Sequence, residues 1–90
     1  YGPDHVAIAT DLLTLGNAWG HCGNYEKQRS MLERALKIKE AAFGPNHPEV
    51  ASTLANLGQA HRFLGDYEQA KLLLHRALPI IEAAFGPNHF

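Results

Sequence analysis

The stretch Phe43-Gly44-Pro45-Asn46-His47 occurs in nearly the same form at two other places in the chain. Residues 1–5 (YGPDH) lie 42 positions before it, and residues 85–89 (FGPNH) lie 42 positions after it. Residues 1–42 and 43–84 align without a gap and are identical at 19 positions. A fixed period of this length indicates a repeat protein, in which each unit packs on the next.

The central stretch, which we call the joint, carries signals that end one helix and begin another. Gly44 follows an apolar stretch at a position where a left-handed residue satisfies the last helix carbonyls, and Pro45 prevents continuation. Asn46 can cap the next helix, with Glu49 completing a capping box and Pro48 tolerated in the first turn. The joint therefore separates two helices, and we expect Asn46 to be the N-cap.

Apolar residues recur at spacings of three and four on both sides of the joint, which is typical of one face of a helix. Within each unit a turn-forming pair, Gly23-Asn24 or Gly65-Asp66, interrupts this pattern. The sequence thus predicts an all-α protein without strands. The predicted helices are residues 6–22, 25–43, 48–64 and 67–84.

These helices form one domain over residues 1–90. Its predicted parts are repeat 1 (residues 1–42), repeat 2 (residues 43–84) and the start of a further joint (residues 85–90).

Two features inside the predicted helices need a physical reason. Gly16 and Gly58 lie in mid-helix, where glycine costs about 1 kcal/mol relative to alanine. We expect each to mark a close crossing by the second helix of its repeat. Pro79 removes a backbone hydrogen bond inside the last helix, which predicts a kink or a loosening near His75 to Pro79.

The pattern Leu12-x2-Leu15-Gly16-x2-Trp19-x3-Gly23-x-Tyr25, with its counterpart over residues 54–67, resembles the tetratricopeptide repeat (TPR) family. The 42-residue period and the joint are similar to the kinesin light chain variety. This resemblance implies a right-handed α-solenoid of two helix-turn-helix repeats. The sequence departs from the family pattern at Gln28, where the family has alanine, and at His61, where it has an aromatic residue.

The resemblance also implies a function without catalysis. Members of the family bind a peptide or a partner helix in a concave groove lined by the first helix of each repeat. By position, the candidate groove residues are Asn17, His21, Asn56, Gln59, Arg62 and Phe63. Asn56 matches an asparagine that bonds the ligand backbone, and Arg62 favours an acidic group on the partner. Asn17 matches a carboxylate-clamp asparagine, but the lysines of that clamp are absent, which argues against binding of chaperone tails.

Composition argues against several other partners. The formal net charge is −1 and the pI is near 6.6, so no strongly basic face is available for nucleic acid or an anionic membrane. No apolar run approaches the roughly 18 residues of a membrane helix. The single cysteine, Cys22, cannot form an internal disulfide, which suits the reducing conditions of the cytoplasm.

The histidines and the cysteine do not predict an enzyme or a metal site. His5, His47 and His89 belong to successive joints, too far apart to share an ion. His21 and Cys22 are adjacent in a helix and point about 100° apart, so they cannot act as base and nucleophile. We expect no cofactor, no catalysis and a buried thiol at Cys22.

Two alternatives stay open at this point. The chain could be a structural spacer, or it could associate head to tail with other copies, since its two units are alike and each end exposes a repeat face. Trp19 has the helical phase of the core, whereas Phe63 could face a ligand or a following repeat.

Overall fold

A computed structural model describes the backbone of residues 3–86 and the side chains of residues 6–86. That part of the chain contains four helices and no strand, so the predicted all-α fold is confirmed. The helices are α1 (Pro3–His21), α2 (Tyr25–Phe43), α3 (Pro48–Phe63) and α4 (Tyr67–Phe85). His5 and His89 of the outer joints lie outside the described side chains.

The same turn closes both helix pairs. Gly23 and Gly65 adopt positive φ angles of 87° and 85°, which other residues rarely tolerate. The next residue then caps the following helix, because the Asn24 side chain accepts a hydrogen bond from the Lys27 amide at 3.2 Å. Asp66 accepts one from the Gln69 amide in the same way. Each repeat is therefore a helix hairpin with a turn set by its own sequence.

The central joint ends α2 as predicted, and α3 begins at Pro48 as predicted, but a different residue caps α3. Gly44 has a φ of 86° and donates to the Glu40 carbonyl at 2.9 Å. The predicted cap at Asn46 is wrong, because His47 is the N-cap and its Nδ1 accepts from the Glu49 amide at 3.1 Å. The His47 ring stacks on Phe43 with centroids 4.5 Å apart, which holds the ring at the helix end.

Helix α4 continues without interruption through Pro79 to Phe85. The expected loosening of the helix at Pro79 is therefore wrong, whereas the alternative of a kink stays a prediction. Pro79 itself is exposed, while Ala77 and Ile80 beside it are buried in the core. Burial of these two side chains stabilises the helical turn that the proline weakens.

The core lies around α3, which packs between α2 and α4. One cluster joins α3 to α4 and to Leu36 of α2, and its fully buried members are Val50, Ala51, Leu54, Ala77 and Ile80. A smaller cluster joins α1 to α2 through Ala9, Leu12 and Ala35. The core of repeat 2 therefore extends to repeat 1 through Leu36, beside a separate smaller cluster within repeat 1.

Matched positions in the two repeats differ sharply in exposure. Val50 and Leu57 of α3 are 0% and 3% exposed, whereas Ile8 and Leu15, which occupy the same positions in α1, are 47% and 49% exposed. Cys22, in the turn that follows α1, is exposed, so the predicted burial of its thiol is wrong. Ile8 and Leu15 are exposed because α2 covers the matched face of α3, while no described helix covers this face of α1.

The mid-helix glycines lie at close crossings, as predicted. A Cβ atom added at Gly16 would lie 3.3 Å from the Met31 Cβ and 3.4 Å from the Gln28 carbonyl oxygen. At Gly58 it would lie 3.1 Å from the Leu74 Cγ. The shortest distance at each glycine is tighter than ordinary van der Waals contact, so the absence of a side chain lets the two helices of each repeat approach.

A buried ion pair fastens the two repeats together. The Lys39 side chain is 3% exposed, and its Nζ lies 2.9 Å from Glu49 Oε1. This hydrogen bond, together with the positive charge, lowers the pKa of Glu49 below its ordinary value. Because its partner is Lys39, Glu49 does not complete the predicted capping box.

Glu49→Gln should destabilise the fold by about 1 kcal/mol at neutral pH, a value reduced because Glu49 itself is half exposed. A lowered folded-state pKa contributes stability above the ordinary pKa of the carboxyl group and loses it as pH falls through the folded value. The difference between the wild type and the variant should therefore vanish in acid. Urea denaturation between pH 7 and pH 3 measures it.

Lys39→Met is the matched control for this ion pair. It removes the buried charge altogether and places an apolar side chain where repeat 2 has Ile81, so the loss of stability should be small or absent. Equal stability of the wild type and Glu49→Gln at pH 7 would contradict the role assigned to the pair.

Candidate functional site

A cavity of about 440 Å³ opens across the two repeats, between α1, α2 and α3. Its volume falls within the range of about 300–1,000 Å³ found for ligand sites in proteins. We call this cavity the groove. Its lining residues are Asn17, Gly20, His21, Tyr25, Gln28, Asn56, Gln59 and Phe63.

The structure brings five of the six candidate residues together in the groove, namely Asn17, His21, Asn56, Gln59 and Phe63. Arg62 is not among the lining residues. Its guanidinium carbon lies 4.9 Å from the centre of the Phe63 ring, so it flanks the groove in a cation–π contact. A direct contact between Arg62 and a ligand stays a prediction.

The amide side chains of the groove are only partly satisfied by the protein. Gln28 Nε2 donates to Asn17 Oδ1 at 3.3 Å, and Asn56 Nδ2 donates to the Ser52 carbonyl at 3.1 Å. The Asn17 amide nitrogen and the Asn56 amide oxygen have no hydrogen-bond partner among the described residues. The groove therefore offers both a donor and an acceptor to a ligand.

Two stacked aromatic rings form one wall of the groove. Tyr25 of α2 and Phe63 of α3 lie with centroids 4.7 Å apart and planes 12° apart. Phe63 is nevertheless 51% exposed, so half of its surface remains open to solvent. The sequence left open which way Phe63 faces, and the structure places it against the preceding repeat and in the groove.

Trp19 lies outside the groove lining and is half-buried rather than fully in the core. Its ring is covered by Lys27, whose Nζ lies 4.2 Å from the ring centre. At the same position in repeat 2, His61 is buried under α2, with its Nδ1 3.4 Å from Asp66 Oδ2. The difference again follows from the uncovered face of α1.

Sequence reasoning missed Tyr25 and Gln28, which come from α2 rather than from the first helix of a repeat. Gln28 is buried, and its amide atoms lie 2.6–2.7 Å from the place where a Cβ of Gly20 would stand. Repeat 2 has Arg62 and Ala70 at these two positions, so the large and the small residue are exchanged between helices. A comparison of matched residue pairs in the two repeats could have identified this contact from the sequence.

The groove lining contains no carboxylate, lysine or arginine. Among the residues that the structure describes, no group of three histidine, cysteine or acidic side chains could hold a metal ion. No helix within residues 3–86 is long and apolar enough to cross a membrane. What the groove can do is form hydrogen bonds and stack against a planar or apolar group.

The contact between Gly20 and Gln28 predicts a coupled pair of substitutions. Gly20→Ala should displace the Gln28 amide from its bond to Asn17, whereas Gln28→Ala removes the three atoms that lie nearest to the added methyl group. The double variant should therefore be more stable than the sum of the single effects, by about 0.5–2 kcal/mol. Urea denaturation of the four proteins measures this coupling, and additive effects would contradict it.

Comparison with known proteins agrees with this architecture. A family model of the tetratricopeptide repeat matches residues 14–83, which is most of both helix pairs. A search among curated proteins gives no match. Repeats of this kind generally mediate protein–protein interaction and are not catalytic modules. The chain therefore belongs to the tetratricopeptide repeat family.

Proposed function

We propose that the chain is a protein-interaction module that binds an extended peptide segment in the groove. The observation that carries this proposal is the open cavity that spans both repeats, with unpaired amide groups beside two stacked aromatic rings. A peptide backbone presents N–H and C=O groups along its length; the free amide nitrogen of Asn17 can donate to a C=O group, and the free amide oxygen of Asn56 can accept from an N–H group.

The character of the lining favours recognition by shape and amide bonding over recognition of charge. No lining residue has a permanent charge, so a phosphate or a charged cluster would have no counter-ion within the groove. Phe63, half exposed on Tyr25, offers a surface on which an aromatic, proline or aliphatic side chain can pack. Arg62 at the edge adds a preference of about 0–1 kcal/mol for an acidic group.

Several finer expectations belong to the same proposal. The 42-residue period and the joint support the kinesin-light-chain-like variety of the family. The exposed free thiol of Cys22 suits the reducing cytoplasm, because exposed thiols oxidise readily elsewhere. A net charge of −1 supports a protein partner rather than nucleic acid or a membrane surface.

A second candidate function, a spacer or self-associating segment of a longer scaffold, is favoured by the exposed apolar faces at the two ends. These faces include Ile8 and Leu15 on α1 and Leu74 and Leu78 on α4. This second function does not compete for the groove, which lies between the repeats.

Selection from a displayed library of random peptides tests the groove. Asn56→Ala should weaken the selected peptides about tenfold, because a buried backbone bond to the ligand is lost. Arg62→Ala should weaken only the peptides that carry an acidic residue, by about two- to fivefold. Lys71→Ala is the control, since Lys71 is exposed on α4 and outside the groove.

The proposal fails if no peptide is enriched over a scrambled pool. It fails equally if Asn56→Ala and Lys71→Ala bind the selected peptides with the same affinity as the wild type.

A further inference from the structure

The junction between the two repeats serves as a template for an interaction between chains. It is formed by α2 of repeat 1 against α3 of repeat 2, and Leu36 packs there on the core cluster that contains Val50. At one end of the junction Tyr25 stacks on Phe63. On the outer side Glu40 forms an ion pair with Arg76. Three kinds of contact, apolar, aromatic and ionic, therefore define the junction.

Each residue of these junction contacts has a counterpart 42 positions away in the other repeat, and these counterparts lie on the two outer faces of the chain. The positions of Leu36, Tyr25 and Glu40 become Leu78, Tyr67 and Glu82 on the outer face of α4. The positions of Val50, Phe63 and Arg76 become Ile8, His21 and Arg34 on repeat 1. Each residue keeps its character, apart from an imidazole ring in place of a phenyl ring.

These outer residues lack the contacts that their counterparts make. Tyr67 and Leu78 are 68% and 44% exposed, and Ile8 is exposed to a similar degree. Arg34 and Glu82 make no ion pair with any residue that the structure describes. A surface with these unused groups can accept a copy of the opposite surface.

The outer faces also carry compatible residues at the positions that match the buried ion pair of the junction. The positions of Lys39 and Glu49 become Ile81 and Ala7, so both charges disappear together. A contact of two apolar residues at this place avoids the desolvation of an unpaired charge. The two outer faces are thus complementary to each other at these four pairs of positions.

One position opposes the contact. Thr53 on α3 is fully buried in the junction, and its hydroxyl donates to the Glu49 carbonyl at 3.2 Å. The same position on α1 is Asp11, which is exposed. Burial of this carboxylate against the exposed apolar side chains of α4, which include Leu74 and Leu78, would carry a desolvation cost.

We propose that a second copy of this chain docks head to tail, with α1 of one copy on α4 of the other in the geometry of the α2–α3 junction, an inference that rests on the second candidate function and not on the groove. Asp11 is the residue that keeps this association weak. The contact joins unlike faces, so each added copy leaves one face of each kind open and the assembly extends rather than closing.

Sedimentation equilibrium of the 90-residue chain over a wide concentration range tests the proposal. Asp11→Thr, which installs the residue of repeat 2, should strengthen association at least about tenfold. Arg34→Glu in the Asp11→Thr background should weaken it about three- to tenfold by opposing Glu82. Adding Glu82→Arg should then restore the affinity to within about twofold, because the reversed charges meet again across the contact.

All these substitutions are at exposed positions, and circular dichroism checks that each variant stays helical. Tightening by Asp11→Thr together with rescue by the reversed pair supports the proposal. A monomeric Asp11→Thr variant at every concentration overturns it. So does a failure of Glu82→Arg to rescue Arg34→Glu, and so does a closed dimer that does not extend at higher concentration.

Discussion

The packing of α3 between α2 and α4 is the interaction on which the rest of the structure depends. Helix α3 is covered by α2 on one side and by α4 on the other, and it has more buried residues than α2, which lies between α1 and α3. Val50, Leu54 and Leu57 lose nearly all contact with water there. Burying such side chains contributes about 1.5–3 kcal/mol each, which offsets the entropy lost on ordering the chain. The groove exists because this packing sets the two repeats side by side.

The helices could be predicted because short local sequence signals determine where each helix ends. Gly23, Gly44 and Gly65 have positive φ angles that the sequence signals on its own, and the apolar spacing identifies the helix faces between them. The sequence was less informative about what covers each face. Cys22 has the phase of the core yet is exposed, and Pro79 lies in a helix that neighbouring buried residues hold together. Cys22 lies in the turn that follows α1, and the helix at Pro79 depends on buried neighbours that periodicity does not describe.

The candidate site was predictable to the extent that position in a repeat decides which way a side chain faces. Five of the residues that the family resemblance indicated, from α1 and α3, line one cavity. It did not indicate Tyr25 and Gln28, because their roles come from pairwise contacts with Phe63 and Gly20. Such contacts depend on which two side chains meet, whereas a family pattern describes each position separately. The ligand itself is a matter of these individual side chains rather than of the fold.

Native-state hydrogen exchange tests most directly whether coverage from two sides holds the structure together. The account predicts that amides of residues 51–58 in α3 are the slowest to exchange, and that the matched amides of residues 9–16 in α1 exchange markedly faster. The measurement is made at low protein concentration, where copies do not cover one another. Equal protection of the two segments, or greater protection in α1, would contradict the account.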